Sequence, residues 1–286
     1  MNAGEPIVST AWLAHRLGAD GLKIIDGSWT LSDGAGPAKR AYADAHIPGA
    51  HFFDIDAVAD QASALPHMAP TPEAFEASVA GMGISASDTV VIYDQSGLFS
   101  AARVWWTFRL MGHRDVSVLD GGLPKWRAEA RPLSNDAPQP PVKTSTYRAA
   151  LQPLVADAGA VRNADASTQI IDARPAARFA GKAPEPRKGL RSGAMPGALN
   201  APADTLVADG SLVPRDALIA ALGGAKTLDE PVIATCGSGV AASIVALALE
   251  TLGHRHWRVY DGSWAEWGRE SNDLAMFPVV PCDGSG

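Results

Sequence analysis

A chain of 286 residues that contains itself twice has few ways to fold. Shifted by 141 positions, residues 88–129 align with residues 229–270 without a gap, and 13 of the 42 positions are identical. Gly112-His113-Arg114 recurs as Gly253-His254-Arg255, Asp120-Gly121 as Asp261-Gly262, and Trp126 as Trp267. Upstream of each copy, Ile24-Ile25-Asp26 parallels Ile170-Ile171-Asp172, and Pro48-Gly49-Ala50 parallels Pro196-Gly197-Ala198. The period is far longer than that of a solenoid repeat, so the pattern predicts a duplicated domain. Between the copies, Arg131 to Tyr147 carries four prolines and no apolar periodicity, which marks a linker. The expected organisation is a first domain over residues 1–135, a linker over 136–150 and a second domain over 151–286.

Each copy alternates strand and helix signals. In the second, Gln169 to Asp172 and Val232 to Thr235 are short apolar runs. Ala241 to Leu252 reads as a buried helix stopped by Gly253, and Trp257 to Tyr260 as the next strand, ending at Asp261-Gly262. Strand, helix, strand in that order predicts parallel βαβ units: tandem α/β domains, each a mostly parallel sheet flanked by helices. Ligands of such sheets sit where a strand hands over to a helix.

Composition narrows the function. With 24 Lys+Arg against 31 Asp+Glu the net charge is −7, which lacks the basic footprint of a nucleic-acid binder. No apolar run reaches the roughly 20 residues that span a bilayer. The start, MNAGEPIVST, has neither a basic nor an apolar leader region, so a cytoplasmic protein without membrane partners is expected. The two cysteines, Cys236 and Cys282, are too few for a disulfide framework, and no metal-ligand spacing occurs. Neither a metal nor an organic cofactor is expected.

The copies diverge at one chemistry-bearing place. Where the first reads Asp94-Gln95-Ser96-Gly97, the second reads Thr235-Cys236-Gly237-Ser238-Gly239-Val240. Cys236 follows a predicted strand and precedes a predicted helix. Its glycines let successive amides turn inward to form an anion-binding concavity, and the helix adds its positive end. Such surroundings favour the thiolate, the nucleophilic form of cysteine. The alternative is a structural cysteine buried like any small apolar residue.

The motifs YADAHIPGAHFF (42–53), VWWTFR (104–109), Arg174 to Asn200, Cys236 to Ala242 and YDGSWAEW (260–267) together resemble the two-domain rhodanese-type sulfurtransferases, over essentially the whole chain. The resemblance implies a first domain that has lost its cysteine and a second that forms a persulfide on Cys236, with the active site at the domain interface. Members that use thiosulfate follow the cysteine with two basic residues. Gly237 and Ser238 look instead like the branch that uses 3-mercaptopyruvate, although Ala241 stands where that branch commonly has Thr. The expected reaction moves sulfur from 3-mercaptopyruvate to a thiol or cyanide and releases pyruvate, with thioredoxin among the implied acceptors.

By the same resemblance, Arg178 and Arg187 hold the donor's carboxylate and ketone end, a task suited to the planar guanidinium. Gly237, Gly239, Val240 and Ala241 supply amides to the anionic sulfur. Ser238, His67 and Asp56 form a proton relay. For each there is a plainer reading: a solvated arginine, a helix-capping serine, a turn histidine or aspartate. His46, His113 and His254, the tryptophans at 105, 106, 126, 264 and 267, and Asp172 are expected to serve the fold, and Cys282 to be a bystander. Three rivals remain. A thiosulfate sulfurtransferase would share the persulfide. A phosphatase of the Cys-x5-Arg type would need arginine at position 242, which is Ala242. A noncatalytic binding module would not need the cysteine and both arginines.

Overall fold

The computed structural model describes residues 5–31, 36–137, 146–224 and 228–280. Residues 138–145 of the expected linker, and Cys282, lie outside the described residues. The chain divides into two compact units. One gathers the described residues of Met1–Ala62, Ala69–Pro153 and Asp209–Leu212; the other gathers those of Ser63–Met68, Leu154–Ala208 and Val213–Gly286.

The first unit is built on five strands: β1 (Ile7–Val8), β2 (Leu22–Asp26), β3 (Ala50–Phe52), β4 (Thr89–Tyr93) and β5 (Val116–Leu119). They pair in the order β1-β5-β4-β2-β3, every pair parallel. Val90, Val91, Ile92 and Tyr93 of the central β4 are all buried, which is why this stretch reads as an uninterrupted apolar run. The helix Ser100–Leu110 buries Trp105, Trp106 and Phe108. Leu123 and Trp126 of the helix Gly122–Ala128 pack with Val8, Leu13, Tyr42 and Val91.

The second unit repeats the plan with β6 (Val155–Ala156), β7 (Gln169–Asp172), β8 (Leu199–Asn200), β11 (Val232–Thr235) and β12 (Trp257–Tyr260), in the order β6-β12-β11-β7-β8. Its pairs are again parallel. The short strand β9 (Val207–Ala208) and the helix Arg215–Ala221 also belong to this unit, whereas β10 (Ser211–Leu212), between them in sequence, clusters with the first. The apolar run expected as a helix is one, Ala242–Thr251, buried from Ala242 through Glu250. Gly253 ends it at φ +90°, a conformation closed to most side chains.

This topology decides where a site can form. From β7 the chain moves outward to β8, while β11 lies on the other side of β7. The carboxyl ends of β7 and β11 therefore flank a point where the strand order reverses, the usual ligand crevice of an open parallel sheet. Thr235 and Asp172, the last residues of these strands, are register partners. Among the described residues no helix is long and apolar enough to cross a membrane, and no cluster of His, Cys, Asp or Glu could hold a metal ion.

Candidate active site

Cys236 is the first residue after β11 and is buried, with about 3% of its surface exposed. Three hydrogen bonds pin its loop to the start of the helix Ser263–Trp267 that follows β12. The Cys236 amide donates to Ser263 Oγ at 3.2 Å. The Trp264 amide donates to the Cys236 carbonyl at 3.0 Å, and the Ala265 amide to the Gly237 carbonyl at 2.9 Å. Ser263 in turn donates to the Tyr260 carbonyl at 2.7 Å.

The two copies correct the gapless alignment by one residue here. The 141-residue shift pairs Cys236 with Gln95. In the folded chain Val90 faces Val116 where Val232 faces Trp257. Likewise the Leu123 amide donates to the Asp94 carbonyl where the Trp264 amide donates to that of Cys236. Gly97 at φ +111° also corresponds to Gly239 at φ +81°. Cys236 is therefore the structural counterpart of Asp94. The slip is absorbed in the following helix, which is 11 residues long in the first copy and 10 in the second.

Asp94 shows what this loop shape is made to hold. Its carboxylate accepts the amides of Ser96 at 2.8 Å, Phe99 at 2.7 Å and Ala101 at 2.8 Å. Burial raises the Asp94 carboxyl above the usual carboxylate range, and the amides of Ala101, Phe99, Ser96 and Gly97 pull it back. The loop thus wraps around an anion carried by its own first residue, as a nest of amides does. In the second copy that first residue is Cys236. Among the described residues, the amides of its neighbours Ser238 and Ala241, counterparts of Ser96 and Phe99, donate to no protein acceptor.

Charge arrives from the loop after β7. Asp172 is wholly buried; it accepts the Arg174 amide at 2.9 Å and the Arg174 guanidinium through Nη2 at 2.7 Å. Arg174 stacks its guanidinium over Trp264 at 3.9 Å and donates through Nη1 to Glu185 Oε1 at 2.8 Å. The other oxygen of Glu185 takes Arg178, through Nε at 3.2 Å and through Nη2. Arg178 Nη2 lies 3.1 Å from where a Cβ on Gly237 would stand. A buried chain of alternating charges, Asp172–Arg174–Glu185–Arg178, thereby sets one guanidinium against the cysteine loop.

Arg187 Nη2 lies 3.1 Å from His67 Nε2. His67 belongs to the short segment Ser63–Met68, which clusters with the second unit. Its backbone sits at φ +59°, a left-handed conformation uncommon outside glycine. Because a guanidinium can only donate, Nε2 carries its lone pair toward Arg187 in this contact. Ser238 is buried in the cysteine loop. Asp56 lies in the first unit, where its carboxylate accepts the Trp29 indole N–H at 2.9 Å. Gly239 and Val240 lie in the same loop, and Ala241 is the cap of the helix that follows.

Two contributors escaped the sequence reading. Glu185 stands two residues before Arg187 and carries no motif of its own. Ser263 replaces the first copy's Gly122, and both have left-handed backbones, at φ +48° and +51°. A serine where the sister copy keeps glycine is the signal that could have found it. The residues assigned to the fold behave so: His46 Nδ1 meets the Tyr42 carbonyl at 2.8 Å, His113 Nε2 meets that of Asp88 at 2.9 Å, and the five tryptophans are buried.

Comparison with known proteins agrees with this geometry. Residues 9–129 and 157–270 each match the Rhodanese-like domain family. Over 279 residues the chain is 42% identical to 3-mercaptopyruvate sulfurtransferase of Escherichia coli K12, covering 95% of this chain and 98% of that one. It is also 42% identical, over 294 residues, to the Arabidopsis thaliana protein named thiosulfate/3-mercaptopyruvate sulfurtransferase 1, mitochondrial, covering 94% of this chain and 78% of that one. The crystal structure of SseA, a 3-mercaptopyruvate enzyme of Escherichia coli, superposes with a TM-score of 0.80 at 39% identity, covering 91% of this chain and 98% of the other.

Proposed function

The chain belongs to the rhodanese family as a tandem of two such domains, and from that premise we propose that it is a 3-mercaptopyruvate sulfurtransferase working through a persulfide on Cys236. One observation carries the reading. The loop that closes around the Asp94 carboxylate in the first copy recurs around the Cys236 side chain in the second, where the amides of Ser238 and Ala241 stand in for those of Ser96 and Phe99, while that of Ser243, the counterpart of Ala101, donates to the Val240 carbonyl at 3.2 Å. Amides that stabilise a carboxylate also stabilise a thiolate, the form of cysteine that attacks sulfur.

In the first half-reaction the Cys236 thiolate attacks the sulfur of 3-mercaptopyruvate. The carbon–sulfur bond breaks and its electron pair passes to the departing pyruvate enolate, which takes up a proton. Arg178, held by Glu185 against Gly237, and Arg187, beside His67, bind the donor's carboxylate and ketone. The amides of Gly237, Gly239, Val240 and Ala241 share the negative charge on sulfur. Ser238 and His67 return the proton. Asp56, engaged by Trp29, keeps the part in that relay that the resemblance implies, and Asp56→Asn tests it.

In the second half-reaction a thiol or cyanide removes the outer sulfur, and thioredoxin is among the acceptors this chemistry admits. The uncharged followers of Cys236, Gly237 and Ser238, disfavour a dianionic donor such as thiosulfate, and the cytoplasm is the compartment proposed. Steady-state rates with the two donors test the assignment. A higher kcat/KM for 3-mercaptopyruvate is expected; a clear preference for thiosulfate overturns it.

A further inference from the structure

Beside the cysteine loop lies a cavity of about 360 Å³, within the range that small molecules occupy. Arg187, Lys188, Arg269 and Ser271 line it, with no acidic residue among its walls. Its floor is the antiparallel bridge between Leu190 and Arg269. Another wall residue, Ala265, is the one whose amide holds the Gly237 carbonyl, so the cavity adjoins the catalytic loop through a single residue. Arg269 spends its guanidinium on two carbonyls, those of Ala265 at 3.2 Å and Ala64 at 3.5 Å, and meets no carboxylate among the described residues. Lys188 is exposed and has no partner among the described residues. In a chain with a net charge of −7, three cations around one cavity mark a place for an anion.

The donor does not account for that much positive charge. 3-Mercaptopyruvate carries one carboxylate, which Arg178 and Arg187 suffice to bind, leaving Lys188 and Arg269 in excess. A ping-pong enzyme uses one cysteine for donor and acceptor in turn, so Arg187 is released when pyruvate leaves. We propose that this cavity is the acceptor subsite, and that it selects small thiols carrying two or more carboxylates. The inference rests on the sulfurtransferase reading above. In the step it serves, the acceptor thiolate attacks the outer sulfur of the Cys236 persulfide. A sulfur–sulfur bond forms to the acceptor, the bond to Cys236 breaks, and its electron pair stays on Cys236 as thiolate.

The test separates the two half-reactions. The enzyme is loaded with 3-mercaptopyruvate, freed of excess donor, and discharged by 2-mercaptoethanol, 3-mercaptopropionate or mercaptosuccinate, which carry none, one and two carboxylates. Intact mass follows both steps. Comparing each variant with the native enzyme for the same thiol cancels differences in intrinsic thiol reactivity. In Lys188→Gln combined with Arg269→Gln, the discharge rate with mercaptosuccinate relative to 2-mercaptoethanol is expected to fall about tenfold, as removal of one exposed and one half-buried cation allows. Raised salt should lower the same ratio in the native enzyme. Lys188→Gln alone, at an exposed position, should give a smaller loss in the same direction. An unchanged ratio in both variants overturns the proposal, as does a loss confined to loading, which would give the cavity to the donor. Failure of the native enzyme to load is separately visible and would overturn the sulfurtransferase reading instead.

Discussion

Replacing Cys236 by Asp should give a folded, inactive protein that is nearly as stable as its neutral isostere, Cys236→Asn. Without a cradle this substitution is among the worst possible, since an uncompensated charge in a buried position typically costs several kcal/mol. The first copy supplies the magnitude. There three amides reach the Asp94 carboxylate at 2.7–2.8 Å. Hydrogen bonds to a charged group contribute about 1.5–3 kcal/mol each; around Cys236 the counterpart of the Ala101 amide, that of Ser243, donates to the Val240 carbonyl, so the two that remain offset roughly 3–6 kcal/mol of lost hydration. Cys236→Asp is therefore expected within about 1 kcal/mol of Cys236→Asn in urea unfolding at pH 7, whereas a loop that offers no amides predicts a deficit of about 3 kcal/mol or more. The reciprocal change, Asp94→Asn, turns an acceptor into a partial donor facing amides and should cost about 2–4 kcal/mol. A Cys236→Asp protein that is severely destabilised, beside a well-behaved Cys236→Asn, refutes the cradle.

Three further outcomes follow from the same contacts. Glu185→Gln breaks the bridge between Arg174 and Arg178; the KM for 3-mercaptopyruvate should rise about tenfold with a smaller change in kcat, alongside a stability loss of about 3 kcal/mol, and an unaltered KM would remove Arg178 from donor binding. Ser263→Ala leaves the buried Cys236 amide without its acceptor, so persulfide loading should slow and the unfolding midpoint should fall by an amount equivalent to about 1–3 kcal/mol; loading at the native rate would show that the contact does not position the loop. Burial lowers the pKa of both His113 and His254 below 6.5. Below pH 6.5 the unfolded chain then binds protons that the folded chain refuses, so these two residues make stability fall as pH drops through that value. The double variant His113→Gln/His254→Gln should show a shallower decline in urea midpoint between pH 7.5 and 5.5, and an equal or steeper decline would contradict the assignment.

Much of the fold was legible because a parallel sheet buried on both faces leaves continuous apolar runs. Gln169–Asp172, Val232–Thr235 and Trp257–Tyr260 have the limits their composition suggests. The cysteine loop was legible for a local reason: its glycines and its place between strand and helix are fixed by neighbouring residues. The sites that were not legible depend on distant ones. His67 and Arg187 were each named by the resemblance, but their contact spans 120 positions of sequence and no local pattern announces it. Ser263 acts on an amide 27 residues away, and nothing around it in the sequence shows that its backbone is left-handed. The pairing of Asp94 with Cys236 was hidden by the alignment itself: identities in the following helix and strand fix a shift of 141, and the extra helical residue of the first copy displaces the loop by one. Strand register, with the matching hydrogen bonds from Leu123 and Trp264, reveals that the first copy keeps a carboxylate where the second keeps a thiol.

The most direct check on the whole account is the intact mass of the protein after brief exposure to 3-mercaptopyruvate, read beside Cys236→Ser treated identically. The native chain should gain the mass of one sulfur atom while pyruvate appears in equal amount, and the variant should gain nothing. An equal gain in the variant, or none in the native chain, would contradict the claim that Cys236 carries the transferred sulfur.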